Sequence, residues 1–167
     1  YENAASAMKI KSYLQPLSVN EQFLFGDILF AAGVPAEAAN LYSTAIDRSS
    51  DMATVSQYEM LASALLSAQK TDLASEAINK ALKIKPTTRL YSLLGDVEYS
   101  RENYKEAFNA FSSAADINPD NGRLWLMAGY CAVELEKYGD AKLALERACM
   151  FSKQKQSATE LLQQLSK

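Results

Sequence analysis

The chain has 167 residues, of which 49% are hydrophobic and 22% are charged, and its formal net charge is −3. This composition is typical of a folded domain and argues against a nucleic-acid-binding protein, because such proteins concentrate basic residues on one face. The sequence has no histidine, which excludes imidazole bases and imidazole metal ligands, and no apolar run of the roughly 20 residues that a membrane-spanning helix requires.

The first segment, residues 1–18, has the pattern of a single helix. Its opening residues Tyr1, Glu2, Asn3 and Ala4 resemble the segment 104–107, which begins the second helix of a later unit. The segment therefore fits the frame of a second helix whose first helix is absent. We expect either a fragment of a longer repeat protein or a simple N-terminal cap helix.

Two helical units follow, at 19–54 and 55–87. In both, small and bulky apolar residues recur at spacings of three and four, which is the period of an amphipathic helix. The residues that mark the frame are Phe25, Gly26, Gly33, Ala38, Tyr42 and Ala45 in the first unit, and Tyr58, Leu61, Ala62, Ala74, Ile78, Ala81 and Pro86 in the second.

The third unit, 88–121, predicts two antiparallel helices, at 88–101 and 104–117. The polar joint at 101–103 is short enough to require antiparallel neighbours, and Pro119 cannot continue the second helix. Gly95 and Ala107 remove side-chain bulk where the two helices should approach closely. A glycine inside a helix costs about 1 kcal/mol relative to alanine, so this close approach must outweigh that cost.

The fourth unit, 122–155, repeats the third at a constant offset of 34 residues. The matched pairs are Tyr91 and Trp125, Gly95 and Gly129, Tyr104 and Tyr138, Ala107 and Ala141, Phe111 and Leu145, and Ala114 and Ala148. The last segment, 156–167, predicts a capping helix with an apolar face of Ala158, Leu161, Leu162 and Leu165. Cys131 and Cys149 lie inside helical patterns, where we expect them to act as small buried hydrophobic residues.

The combined pattern resembles the tetratricopeptide repeat, in which W-x2-L-G-x2-Y is followed by A-x3-F, A and P over 34 residues. The third unit carries the most matching residues: Tyr91, Leu94, Gly95, Ala107, Phe111, Ala114 and Pro119. The fourth unit departs from the pattern with Ala128 and Ala132 in place of larger residues, and without a closing proline. The resemblance implies an all-α fold, a right-handed superhelical solenoid of antiparallel helix hairpins that forms a single domain over 1–167.

In the tetratricopeptide family, the first helix of each hairpin lines a concave surface that binds other proteins or peptides. The positions that this resemblance implies for a peptide-binding groove are Asn20, Phe23, Asp27 and Phe30; Ser56, Glu59, Ser63 and Leu66; Arg89, Ser92, Asp96 and Tyr99; and Arg123, Leu126, Tyr130 and Val133. We expect Phe23, Phe30, Tyr99 and Tyr130 to be exposed anchors, because aromatic residues carry much of the binding energy at interfaces. The alternative is that some of them pack against neighbouring helices.

The resemblance implies a scaffold that holds another protein or a peptide segment. Members of the family that grip the acidic C termini of heat-shock chaperones place lysine, asparagine and arginine in the groove. Here, the equivalent positions carry Phe23 with Asp27, then Met60, then Arg89 with Leu93. Only Arg89 suits an anionic group, so an extended or helical peptide with apolar anchors fits better.

Two other functions are compatible with the pattern. The first is a secretion chaperone, since the small acidic chaperones of type III secretion systems have a similar length and carry tetratricopeptide repeats. The second is a structural segment that forms homo-oligomers through its end helices. We predict no catalytic residues, no metal site and no cofactor, and the compartment, cytoplasmic or periplasmic, stays open.

Overall fold

A computed structural model of the protein describes residues 2–49 and 53–165, so Tyr1 of the expected N-terminal pattern lies outside the described residues. In these two ranges the chain forms helices and no strand, which confirms the predicted all-α class. The helices are α1 Glu2–Leu14, α2 Val19–Ala31, α3 Pro35–Ser49, α4 Val55–Ser67, α5 Thr71–Ile84, α6 Thr88–Ser100, α7 Tyr104–Ile117, α8 Gly122–Glu134, α9 Tyr138–Cys149 and α10 Lys155–Leu165. They divide into two compact units, Tyr1–Lys85 and Pro86–Lys167. The expected repeat boundaries and single domain stay predictions.

The first helix of each hairpin begins at a residue whose side chain caps it. Ser18 and Thr54 form capping boxes with Glu21 and Gln57 at the starts of α2 and α4. At the starts of α6 and α8, the side chains of Thr87 and Asn121 accept hydrogen bonds from the backbone N–H groups of Leu90 and Arg123. Each cap satisfies a backbone donor that the helix itself leaves unpaired, so these residues fix where the first helices start.

Close contacts between paired helices depend on glycine in three of the hairpins. A β-carbon added at Gly95 of α6 would lie 2.6 Å from Phe111 Cε1 on α7, and one added at Gly129 of α8 would lie 2.6 Å from Leu145 Cδ2 on α9. A β-carbon added at Gly26 of α2 would likewise overlap the ring of Tyr42 on α3. The predicted role of Gly95 as a close helix contact is therefore confirmed.

The hairpin turns share one backbone conformation. Gly33, Gln69, Glu102 and Glu136 have positive φ angles of 78°, 58°, 61° and 55°. Counted from residues 19, 55, 88 and 122, these four residues hold the same position in the repeat. In each turn the following backbone N–H donates to a carbonyl five residues back, as Lys137 does to Ala132 at 2.9 Å. A left-handed residue followed by this bond is a Schellman motif, which ends the first helix and reverses the chain.

In the first unit, α1 forms ion pairs with both of the helices that follow it. None of its residues is buried, and Ile10, Tyr13 and Leu14 are exposed by 61%, 77% and 80%. Lys11 pairs with Glu21 of α2, and Lys9 Nζ lies 3.7 Å from Glu37 Oε2 of α3. The hairpins α2–α3 and α4–α5 supply the core of this unit.

In the second unit, the core is closed at its C-terminal end by α10. A buried cluster of Leu145, Ala148 and Ala158 is covered by the partly buried side chains of Leu161 and Leu162. The apolar face predicted for 156–167 is therefore the face that α10 turns toward α9. Cys131 of α8 is fully buried, and this burial raises the pKa of its thiol to about 12, which agrees with its expected role as a small hydrophobic residue.

Candidate functional site

Three of the expected groove residues meet on the first helices of the second unit. Arg123 Nη2 of α8 lies 2.6 Å from Asp96 Oδ1 of α6, and its Nη1 donates to Ser92 Oγ at 3.3 Å. The side chains of Arg123 and Asp96 are 48% and 40% exposed. The resemblance implied that positions on successive first helices face a common surface, and this cluster brings such positions into direct contact.

This polar cluster contributes little to folding. Exposed ion pairs stabilise a protein by about 0–1 kcal/mol, because water screens the charges and the side chains lose freedom. The geometry is still specific, because the guanidinium group must span α6 and α8 to reach both partners. We therefore interpret the cluster as a fixed arrangement of charge on an accessible surface.

Two tyrosines belong to the same pair of helices. Tyr99, near the end of α6, is 37% exposed, and its ring meets that of Tyr104 edge to face with centroids 5.8 Å apart. Tyr130 of α8 is half-buried. A partly exposed aromatic side chain that contacts a neighbouring ring is already restricted, so binding a partner costs it less entropy.

Leu126 and Val133 of α8 have a different environment from the one expected. Both side chains pack against the cluster of Leu145, Ala148 and Ala158 that α10 covers. Part of each side chain therefore belongs to the C-terminal cap. Their assignment to a groove stays a prediction, with less free surface than the sequence implied.

In the first unit, the expected exposure of Phe23 is wrong. Its side chain is only 9% exposed and stacks on Tyr42, with ring centroids 5.9 Å apart. The physical reason is Gly26, which lets the large Tyr42 ring of α3 lie directly against α2, where it covers Phe23. Phe23 therefore packs against a neighbouring helix, which was the alternative to an exposed anchor.

Asp27 is held by the same tyrosine. The buried Tyr42 hydroxyl donates to Asp27 Oδ1 at 2.7 Å. Burial, followed by this hydrogen bond and the negative charge of Asp27, raises the pKa of Tyr42 well above its ordinary value. The phenol therefore stays a donor, and it orients an exposed carboxylate on α2.

The other expected positions also lie on the described helices. Asn20 is exposed, and Phe30 at the end of α2 is 39% exposed. On α4, Glu59, Ser63 and Leu66 are half-buried, whereas Ser56 is exposed. Arg89 is exposed at the start of α6. The exposure expected of Phe30 is confirmed, and the binding role of all these residues stays a prediction.

Glu98 of α6 is a buried charged residue that the sequence analysis did not identify. It is 5% exposed and accepts hydrogen bonds from Asn103 Nδ2 at 2.8 Å and from Arg101 Nη1 at 3.2 Å. The sequence does contain a signal for this residue. Glu98 stands three residues after Gly95, at the position where the repeat pattern has tyrosine. A polar residue at a core position requires partners, and here the hairpin turn supplies them.

The described residues show neither a metal-binding cluster nor a membrane-spanning helix. Within residues 2–49 and 53–165, no group of three or more Cys, Asp or Glu side chains is arranged to hold a metal ion. No helix in those ranges is both long and apolar enough to cross a bilayer.

Comparison with known proteins identifies the repeat. Profiles of the tetratricopeptide repeat match residues 99–165, 23–88 and 59–122. The human protein O-mannosyl-transferase TMTC1 is 25% identical over 153 residues, which are 89% of this chain and 17% of the length of that transferase. This chain therefore spans only a small part of the length of that protein.

Two solved structures share the fold. MamA superposes with a TM-score of 0.77 at 20% identity, covering 93% of this chain and 91% of that one. YrrB, described as a TPR protein with an unusual peptide-binding site, superposes with a TM-score of 0.78 at 16% identity, covering 97% and 83%. These likenesses concern the fold alone. Together with the profile matches, they lead to one conclusion: the chain belongs to the tetratricopeptide-repeat family, and its architecture is that of a protein–protein interaction scaffold.

Proposed function

We propose that the chain holds a partner polypeptide against the first helices of its hairpins. The observation that carries this proposal is the contact of Arg123 with Asp96 and Ser92, with Tyr99 and Tyr130 on the same two helices. A guanidinium group has five N–H donors, so donors remain for carbonyl or carboxylate groups of a bound chain. The tyrosines add apolar area beside them.

The chemistry of these side chains favours a peptide over a small metabolite. Tyrosine and arginine are the residue types that most often dominate protein interfaces, because they combine large contact area with hydrogen bonding. The polar cluster can fix the direction of a peptide backbone, while the aromatic rings receive apolar side chains. A peptide-binding site is also what the description of YrrB reports for that protein.

The proposed role is non-catalytic. Tetratricopeptide repeats typically act as scaffolds, and the sequence has no histidine to serve as a general base. The exposed ion pair of Arg123 and Asp96 instead offers charged groups that a partner chain can contact. Binding, rather than bond making, is therefore the activity to measure.

The test is capture of a partner from extracts of the source cell, followed by mass spectrometry. The double variant Tyr99→Ala with Tyr130→Ala should lose the captured protein while keeping its helical circular-dichroism spectrum. The matched control is Tyr138→Ala, because Tyr138 is 57% exposed but begins the second helix α9. Equal capture by the double variant and by wild type would contradict the proposal, and capture of only a second copy of this chain would instead favour self-association.

A further inference from the structure

A depression opens on the second helices of the first unit, and its lining shares no residue with the proposed peptide surface. It lies between α3 and α5 and has a volume of about 140 Å³. The inner part is lined by Ala39 and Ala77 and by Leu61 and Leu65 of α4, all of which are buried. Its rim carries charged and polar side chains, and Lys70 at the start of α5 is among them.

The second unit has a corresponding position between α7 and α9, and there the side chain of Phe108 fills the space. Phe108 of α7 packs against the buried cluster that contains Ala128 and Ala144. The Nζ atom of Lys137 lies 5.1 Å from the centroid of the Phe108 ring, which is the geometry of a cation–π contact. An aromatic ring under a lysine therefore closes the gap between α7 and α9.

The two places are equivalent in the repeat. Counted from the same repeat position that aligns the hairpin turns, Ala39 corresponds to Phe108, Lys70 to Lys137, Leu61 to Ala128, and Ala77 to Ala144. The first unit thus keeps the lysine but has a methyl group where the second unit has a phenyl ring. The depression lies where the second unit holds the Phe108 ring, although the larger Leu61 and Leu65 stand where the second unit has Ala128 and Ala132.

We propose that the depression between α3 and α5 binds an aromatic side chain of a partner polypeptide, with Lys70 placed over the ring. The size is suitable, because a cavity of roughly 150 Å³ lined by apolar residues holds a benzene ring. Leu73 on the rim is 49% exposed and extends the apolar surface outward. This site is separate from the proposed groove, so either can be present without the other.

The charges on the rim favour an aromatic ring over an aliphatic side chain. Lys70 and Lys80 contribute two positive charges and Glu76 contributes one negative charge. A lysine over a ring face is attracted by the negative electrostatic potential of the π system, and a saturated ring of the same shape offers no such attraction. Aromatic preference is therefore the property that distinguishes this site from a general apolar depression.

The test uses the full chain labelled with ¹⁵N and the probe N-acetylphenylalanine amide, titrated to about 20 mM because a single buried ring binds in the millimolar range. We expect saturable shifts of the backbone amides of Ala39, Leu65 and Ala77. N-acetylcyclohexylalanine amide should bind several-fold more weakly. Absence of shifts at these amides, or equal binding of the two probes, would overturn the proposal.

Two variants locate the site. Ala39→Phe should remove the shifts, because its own ring would fill the depression as Phe108 does. Phe108→Ala should create a second set of shifts, at Ala128 and Ala144. Undiminished probe binding by a folded Ala39→Phe variant contradicts the proposal.

If Ala39→Phe does not fold, the variant Lys70→Met tests the proposed aromatic site instead. It should weaken binding of the aromatic probe several-fold and leave binding of the cyclohexyl probe unchanged. An unchanged affinity for the aromatic probe would overturn the role of Lys70.

Discussion

At the residue scale, the packing of the hairpins depends on the absence of a side chain at a few positions. Gly95 lies against the ring of Phe111, which is fully buried. The same relation holds for Gly129 and Leu145. The conformational cost of glycine in a helix, about 1 kcal/mol, is thus offset by the close approach of the paired helices.

Replacing Gly95 with leucine should therefore destabilise the protein. The added side chain would overlap the Phe111 ring, and overpacking of this kind costs roughly 1–3 kcal/mol. The measurement is the free energy of unfolding in urea. Gly139→Leu is the matched control, because a β-carbon at Gly139 meets nothing within 4 Å. A midpoint for Gly95→Leu equal to that of wild type would rule out the contact role.

A second prediction concerns Glu21. A side-chain hydrogen bond from Lys11 and then the backbone N–H of Ser18 lower its pKa from 4.5 to about 2. Between these values the folded chain binds fewer protons than the unfolded chain, so the stabilising contribution is complete above about 4.5 and is lost as the pH falls toward 2. An NMR titration of the Glu21 carboxyl should show a midpoint near 2, and Lys11→Met should raise it. An identical midpoint in both proteins would show that Lys11 is not the cause.

The sequence predicted some side-chain environments and missed others. Repeat spacing was sufficient to place Gly95 against the second helix of its hairpin. It could not predict the burial of Phe23, because that depends on how far the Tyr42 ring reaches across Gly26. The burial of Glu98 was also missed, since its partners Asn103 and Arg101 belong to a turn whose geometry the pattern does not specify.

At the element scale, the first helix of each hairpin ends at a left-handed turn residue in the same repeat position. Three of the four turn positions carry glutamine or glutamate instead of glycine, although an L-residue in this conformation costs about 1–2 kcal/mol. The hydrogen bonds that follow each turn residue, such as that from Asn103 N to Glu98 O at 2.9 Å, hold the backbone in place. Turn geometry is therefore imposed by the hairpin rather than by local residue preference.

We predict opposite effects for two glycine-to-alanine substitutions. Gly33 has a φ of 78°, so Gly33→Ala should destabilise the protein by about 1 kcal/mol through backbone strain alone, since a β-carbon there meets nothing within 4 Å. Gly139 lies in the first turn of α9, and Gly139→Ala should stabilise by up to about 1 kcal/mol. Thermal unfolding of the two variants measures both. Loss of stability in both proteins would contradict the proposed difference in backbone conformation.

Helix positions in the third unit were predicted closely. The expected ranges 88–101 and 104–117 compare with Thr88–Ser100 and Tyr104–Ile117. Apolar periodicity and Pro119 were enough, because both act within a few residues of the helix ends. The groove residues were less predictable, since exposure depends on the neighbouring helix. Leu126 and Val133 show this, because part of each side chain packs beneath α10.

At the scale of the whole molecule, each of the two compact units presents its own chemistry. The second unit combines an exposed ion pair with tyrosines on its first helices, and the first unit has an open depression where its counterpart holds Phe108. Repetition makes this difference visible, because equivalent positions can be compared within one chain. A repeat protein can in this way keep one fold while its surfaces diverge.

The central claim is that a partner polypeptide lies against the first helices of the second unit. Photo-crosslinking in the source cell tests it most directly, with p-benzoylphenylalanine placed at Tyr99 in one variant and at Tyr138 in another. We predict a covalent product with a second polypeptide from position 99 and none from position 138. Crosslinking from position 138 alone, or from neither position, would contradict the claim.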